Sequence, residues 1–253
     1  MNQVRKNIRA ATICLAAVWC IGCTSQRAPR PVHQNVVRTP QQALDAVVRV
    51  YVPTGKSANE FAQGVGINMT SGGIVTAMHV FGEPRTIKSR LARARIKPFQ
   101  NGQRATPKTI TVAGNTNTDV AILVPQPLIK TKRVAQISPS SPRKGERASA
   151  LLMSTGRGNN RWTISKGTVV AFSDDGQFFV VSGTSVQGDS GGPVLNSRGQ
   201  LLGIVIGGTS GEIASPFSIE WRRNGTFGIK YEYGPNTPRF RGDFIVCSRP
   251  VVR

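Results

Sequence analysis

Cysteine is scarce in this 253-residue chain, and three of its four copies, Cys14, Cys20 and Cys23, fall near the start. Only Cys247 is left for the rest of the chain, which excludes an intramolecular disulfide framework there. Histidine occurs twice, as His33 in a polar stretch and as His79 in the body. Acidic residues number 12 against 33 Lys and Arg, a net charge of +21, so any electrostatic partner is anionic: headgroups, lipopolysaccharide, nucleic acid or acidic protein. Aromatics are only 6%, and the densest basic stretch holds Phe99 alone, too few stacking platforms for a single-strand nucleic-acid module. No apolar run approaches the roughly 20 residues that span a bilayer. Long helical periodicity and solenoid repeats are also missing.

What is present begins with a basic leader, Arg5, Lys6 and Arg9, followed by an apolar run from Ala10 to Gly22. This is the pattern of a secretory signal over residues 1–22. Cys20-Ile21-Gly22-Cys23 resembles a bacterial lipobox, which makes Cys23 the expected lipidation site and mature N-terminus. Ordinary cleavage near Gly22, with secretion, or an uncleaved anchor are the alternatives. Residues 23–43, rich in Gln, Arg, Pro, Ser and Thr, read as a flexible tether. The pattern implies a bacterial cell envelope location, with the body facing the periplasm or the exterior and the lipid at Cys23 as its membrane contact.

Hydrophobic alternation starts at Val47–Val52 and returns at Phe61–Met69, Ile74–Thr76, Thr109–Ala113 and Val120–Val124. Pro125 and Pro127 are expected to end regular pairing. A second group follows the Pro139–Pro142 linker: Arg147–Met153, Trp162–Phe172, Phe178–Ser182, Pro193–Asn196 and Leu201–Ile206. With 27 Gly and 16 Pro supplying turns, the reading is all-β: two six-stranded Greek-key barrels over about 44–135 and 143–223, with the site in the cleft between them. The basic segment between Pro84 and Thr118 (Arg85, Lys88, Arg90, Arg93, Arg95, Lys97, Arg104, Lys108) has no acid, and its first part could form either a strand or a short helix. Residues 224–253 read as an extension outside the barrels, a hairpin or a tail.

A hydroxyl is a poor nucleophile at neutral pH; it needs a base, a group that orients the base, and donors for the developing oxyanion. Gly188-Asp189-Ser190-Gly191-Gly192-Pro193-Val194 offers a serine on a glycine-rich turn whose amides can point outward. Thr76-Ala77-Met78-His79-Val80 places the body's histidine at the end of a strand, and Asp119 opens the apolar run 120–124. Taken singly, these are a flexible turn, a structural histidine and a strand-start acid.

Together, and in this order, they resemble the trypsin-like (chymotrypsin-fold) serine proteases: TAMHV the segment around that family's histidine, TDVAILV its aspartate segment, and GDSGGPV its nucleophile segment. The resemblance implies a serine endopeptidase of protein or peptide substrates. Its general base is His79, Asp119 orients that base, and Ser190 is the nucleophile of an acyl-enzyme. The amides of Gly188 and Ser190 form the oxyanion hole, and no metal or organic cofactor is implied. It also assigns the primary specificity pocket to Thr184 at its base and to Gly207 and Gly208 in an open wall. With no charge at Thr184, the expected preference before the scissile bond is a small or medium uncharged residue. No start of the IVGG kind precedes the first strand, so Asp189 is expected to find local donors or to remain exposed. A non-catalytic binding barrel and a basic nucleic-acid module are the competing classes. Retention of all three polar residues speaks against the first, and the envelope-directed leader against the second.

Overall fold

The computed structural model describes residues 35–54, 61–82, 90, 93–99, 109–115, 117–154, 161–222, 226–231 and 234–250. The expected leader, Cys23 and the basic residues Arg85, Lys88, Arg104 and Lys108 lie outside these. No described helix is long and apolar enough to cross a membrane.

The N-terminal half of the body contributes β1 (Asn35–Val36), β2 (Val47–Pro53), β3 (Phe61–Asn68), β4 (Ile74–Ala77), β5 (Arg95–Pro98), β6 (Thr109–Asn115), β7 (Val120–Gln126) and β8 (Arg133–Val134). Six of them form one sheet in the order β5-β2-β3-β4-β7-β6. Period-two burial drives it: Val48, Val50 and Val52 of β2 are fully buried, while Arg49 and Tyr51 between them are only partly so. Its outer strands β5 and β6 are not paired with each other among the described residues, so this six-stranded unit, the first of the two expected, is a half-barrel there. The undecided basic segment supplies one of those strands: Ile96 of β5 is buried while Arg95 and Lys97 are partly exposed.

The second unit does close. It uses β9 (Arg147–Ser154), β10 (Arg161–Phe172), β11 (Phe178–Ser182), β12 (Pro193–Leu195), β13 (Leu201–Ala214) and β16 (Arg239–Ser248), in the order β10-β11-β16-β13-β12-β9. Between β13 and β16 the chain makes a separate hairpin, β14 (Ser218–Trp221) with β15 (Phe227–Lys230). Phe179, Val181, Val194, Val205, Ile245 and Cys247 belong to a single buried cluster of this unit. The free Cys247 thiol is held well above its ordinary pKa by burial. A larger apolar cluster includes Ile67 and Ala77 of the first sheet with Leu151, Leu195 and Ile204 of the barrel.

Four expectations are corrected. The stretch 224–253 is no extension, because β16 sits between β11 and β13 as the sixth barrel strand. The last part of the expected tether is folded: β1 pairs with β8, Val37 is buried and donates its N–H to Val134 O, and Gln41–Asp45 forms a 3-10 turn around the buried Ala43. The strand leading to the histidine ends at Ala77, and Met78–Phe81 turn as a 3-10 helix. Finally, Pro125 stays inside β7, opposite Ile110 of β6.

Candidate active site

The turn after β4 and the start of β7 bring His79 to Asp119. Asp119 has φ 54°, a left-handed conformation that Asp tolerates better than most residues. It is thereby able to bind the facing turn with both main chain and side chain. Its carbonyl accepts Met78 N–H (2.9 Å), Oδ1 accepts His79 N–H (2.7 Å), and Oδ2 lies 2.5 Å from His79 Nδ1. The carboxylate is 3% exposed, so water scarcely competes for these bonds. With Nδ1 facing an acceptor, the neutral ring carries its proton there and leaves Nε2 as a base. Nε2 is 2.8 Å from Ser190 Oγ. Three residues far apart in sequence therefore form one hydrogen-bonded line, in the order read from the motifs.

Ser190 is held by both units. Its carbonyl accepts Val65 N–H from β3 (2.8 Å), and next to it Gly191 N–H donates to Val205 O of β13 (2.7 Å). Gly191 has φ +84°, and a Cβ there would lie 2.0 Å from Val65 O; only glycine fits. Before the serine, Asp189 N–H donates to Val186 O, and Gly188 has φ 101°. Among the described residues the amides of Gly188 and Ser190 have no hydrogen-bond partner.

Asp189 resolves the question of its partner. It is 1% exposed, and its carboxylate accepts Met153 N–H (2.6 Å) and Val186 N–H (2.7 Å). The loop before Ser190 is thus tied to β9 through local backbone donors. Burial raises the carboxyl's pKa above its ordinary 3.8, and the two amides oppose that shift without cancelling it. A carboxyl raised on folding binds its proton more tightly in the native state. Its contribution is fully present below the unfolded value and is lost as pH rises through the folded one. The stability of the native protein relative to an Asp189→Asn variant should accordingly fall as pH rises above the ordinary carboxyl value in urea unfolding. A difference that stays flat or widens with pH would contradict the raised value.

Of the three pocket residues read from the sequence, Thr184 and Gly208 are exposed and Gly207 is half-buried. A Cβ on Gly207 would meet the Phe227 ring at 2.8 Å, and one on Gly208 would meet Ser185 Oγ at 2.5 Å. Phe227 comes from the β14–β15 hairpin, whose Trp221 donates its indole N–H to Asn117 O (3.3 Å), two residues before Asp119. From β16, Ser248 Oγ donates to Thr118 O. Sequence reading missed these supports. Phe227, Trp221 and Ser248 lie beyond the last recognisable motif, and a lone aromatic or serine carries no pattern. A cleft of about 360 Å³ adjoins His79, Gly188 and Ser190, and is lined further by Phe61, Ala62, Gln63, Val80 and Gln187.

A profile of the family described as "Trypsin-like peptidase domain" matches residues 64–204, more than half of the chain and all three residues of the line. The chain belongs to the trypsin-like peptidase family. It is 26% identical over 203 residues to Staphylococcus epidermidis sequences described as glutamyl endopeptidase, covering 76% of this chain and 69% of theirs. It is also similar to the crystal structure of a serine endoprotease from Yersinia pestis, with a TM-score of 0.50 and 26% identity. That similarity covers 65% of this chain and only 54% of the other. The closed barrel and the facing half-barrel are the chymotrypsin-like architecture, as the motifs implied.

Proposed function

We propose that this trypsin-like peptidase is a serine endopeptidase with Ser190 as nucleophile, His79 as general base and then general acid, and Asp119 as the group that orients and charge-stabilises the imidazole. The observation that carries the reading is the unbroken line from Asp119 Oδ2 through His79 to Ser190 Oγ, at 2.5 and 2.8 Å. As Oγ attacks the scissile carbonyl, His79 Nε2 takes its proton. The oxyanion is assigned to the amides of Gly188 and Ser190, which have no hydrogen-bond partner among the described residues. Collapse of the tetrahedral species breaks the C–N bond, and the departing nitrogen receives the proton from His79. Water then repeats the sequence on the acyl-enzyme.

The acyl side is bounded by Gly207 and Gly208. Phe227 and Ser185 crowd these glycines, and Thr184 brings no charge, so we assign it a small or medium uncharged residue. The glutamyl endopeptidases to which the chain is similar suggest an acidic residue instead. The leader favours an envelope location, with a lipid at Cys23 as anchor. The protein should therefore be recovered from the membrane fraction and its cleavage sites profiled on a peptide library beside a Ser190→Ala control. Cuts after Ala, Val or Leu-sized residues, absent from the control, are expected. A profile dominated by Glu would move the specificity to that of the relatives, and one dominated by Lys or Arg would overturn both. Cleavage that survives in the control would remove Ser190 as the nucleophile.

A further inference from the structure

We propose that a basic strip, formed by the loop from Leu128 to Arg133 with Arg38 and Arg198 beside it, lies on an anionic phospholipid bilayer and inserts Leu128 among the headgroups. The strip thereby gives a face to the envelope location proposed above, on which this inference rests.

The loop between β7 and β8 turns alternate side chains outward. Ile129 is buried, and the buried Asn68 donates its side-chain amide to Ile129 O (3.0 Å) and to Thr131 Oγ1 (2.9 Å). Thr131 Oγ1 donates in turn to Arg133 O (2.6 Å). With these two positions tied down, Leu128, Lys130 and Lys132 are left exposed on a fixed backbone. β1 runs alongside, with Asn35 opposite Arg133. Just past β1, Arg38 is exposed, and the turn that carries the exposed Arg198 packs against the same segment: a Cβ on Gly199 would lie 2.7 Å from Thr39 N. Asp45, an acid at the border of the strip, is partly buried and engaged by Arg133 Nε at 3.5 Å. Its charge is thus taken up by Arg133, and Arg38, Lys130, Lys132 and Arg198 keep theirs for an outside partner.

Two observations select a bilayer as that partner. Leu128 is 52% exposed between the end of β7 and the lysines. An apolar side chain beside long cationic ones suits the headgroup boundary, where the leucine leaves water while the ammonium groups reach phosphates. A nucleic-acid backbone would use the charges and leave the leucine wet. The second observation is where the chain enters the folded body. Asn35 is paired within this strip, and the twelve residues from Cys23 to Asn35 span about 40 Å at full extension. A lipid at Cys23 therefore draws this strip toward the bilayer. A lipid chain and a basic patch are two signals that together make attachment stable, and each Lys or Arg at an anionic surface strengthens it by about fivefold.

Lysine acylation reads the face in the full-length protein. Recovered from membranes, the protein is reconstituted on vesicles of phosphatidylcholine alone or mixed with phosphatidylglycerol. It is then treated briefly with a water-soluble N-hydroxysuccinimide ester, and the rate at each lysine is measured by mass spectrometry. Lys130 and Lys132 should react more slowly on the anionic vesicles by about fivefold or more, and salt at about 0.5 M should restore them. Lys166, exposed on β10, should change by less than about twofold. Leu128→Ser, and Arg38→Gln combined with Arg198→Gln, remove only exposed side chains and should unfold in urea near the native midpoint. Each should reduce the slowing at Lys130 and Lys132, the double change to about twofold or less. Slowing shared equally by Lys166 would assign the attraction to the net charge of +21 and overturn the proposal. Duplex DNA that protects Lys130 and Lys132 as strongly as anionic vesicles would give the strip to nucleic acid instead. Protein that sediments with both kinds of vesicle, with equal rates at Lys130 and Lys132, overturns this inference alone; protein that sediments with neither overturns the envelope location as well.

Discussion

Ser190→Ala protein is expected to fold as the native chain does and to lose peptide hydrolysis by about 10,000- to 1,000,000-fold in kcat/KM. The change removes Oγ, whose hydrogen bond to His79 Nε2 is 2.8 Å, and leaves the backbone supports untouched. The bonds from Val65 N–H to Ser190 O and from Gly191 N–H to Val205 O do not involve the side chain. Thermal unfolding should therefore move by no more than a few degrees, corresponding to about 1 kcal/mol. Asp119→Asn should cost turnover on the order of 10,000-fold for a different reason. Both carboxylate oxygens are acceptors, one for His79 N–H and one for the ring Nδ1 side. An amide can accept on only one of them, and its NH2 then faces either the backbone donor or the ring, favouring the wrong tautomer. Combining the two changes should cost little more than the worse of them, since they break one device. Turnover in Ser190→Ala above about 1% of native, with contamination excluded by titration, would show that the nucleophile lies elsewhere.

The parts of this site that were legible in the sequence are those in which chemistry restricts the alphabet locally. Gly191 is glycine because β3 leaves no room for a Cβ, and Asp119 is an acid at a positive φ because its side chain and main chain both bind the histidine turn. Such positions write short, recognisable strings. The strands around them were visible for an equally local reason, since alternation in β2 and β7 reflects one buried face. What was not legible depends on partners distant in the chain. The strand expected from the sequence ends at Ile206, before Gly207-Gly208 and Ser210-Gly211. It continues as β13 to Ala214 because β16 hydrogen-bonds along it, with Ala214 opposite Arg239 at the far end. The neighbours of Gly207 and Gly208 were hidden in the same way, since they come from Phe227 and Ser185. The anchoring of Asp189 by Met153 N–H was likewise invisible, because a backbone donor has no sequence signature.

Ending the chain after residue 223, where the motifs stop, is expected to abolish folding altogether. The truncation removes β15 and β16, and β16 is the strand that closes the barrel between β11 and β13. It pairs with β11 from Phe178↔Ser248 to Ser182↔Phe244, and with β13 from Ile204↔Ser248 to Ala214↔Arg239. Phe244, Ile245, Val246 and Cys247 are buried, and at about 1.5–3 kcal/mol for each large apolar side chain their loss is comparable with the whole stability of an ordinary domain, about 5–15 kcal/mol. The two strands left behind would expose unpaired apolar edges, which recruit other chains. The shortened protein should therefore be recovered aggregated, without a cooperative transition in urea. A milder version separates closure from catalysis: Val246→Asp in the full-length chain should unfold it, whereas Ser248→Ala should leave the barrel folded. The second change removes only the hydroxyl that holds Thr118 O, beside Asp119, so its effect should fall on turnover more than on stability. A truncated protein that unfolds cooperatively would show that the first thirteen strands and the β14 segment close a core without the last strand, and would restore the boundary at 223.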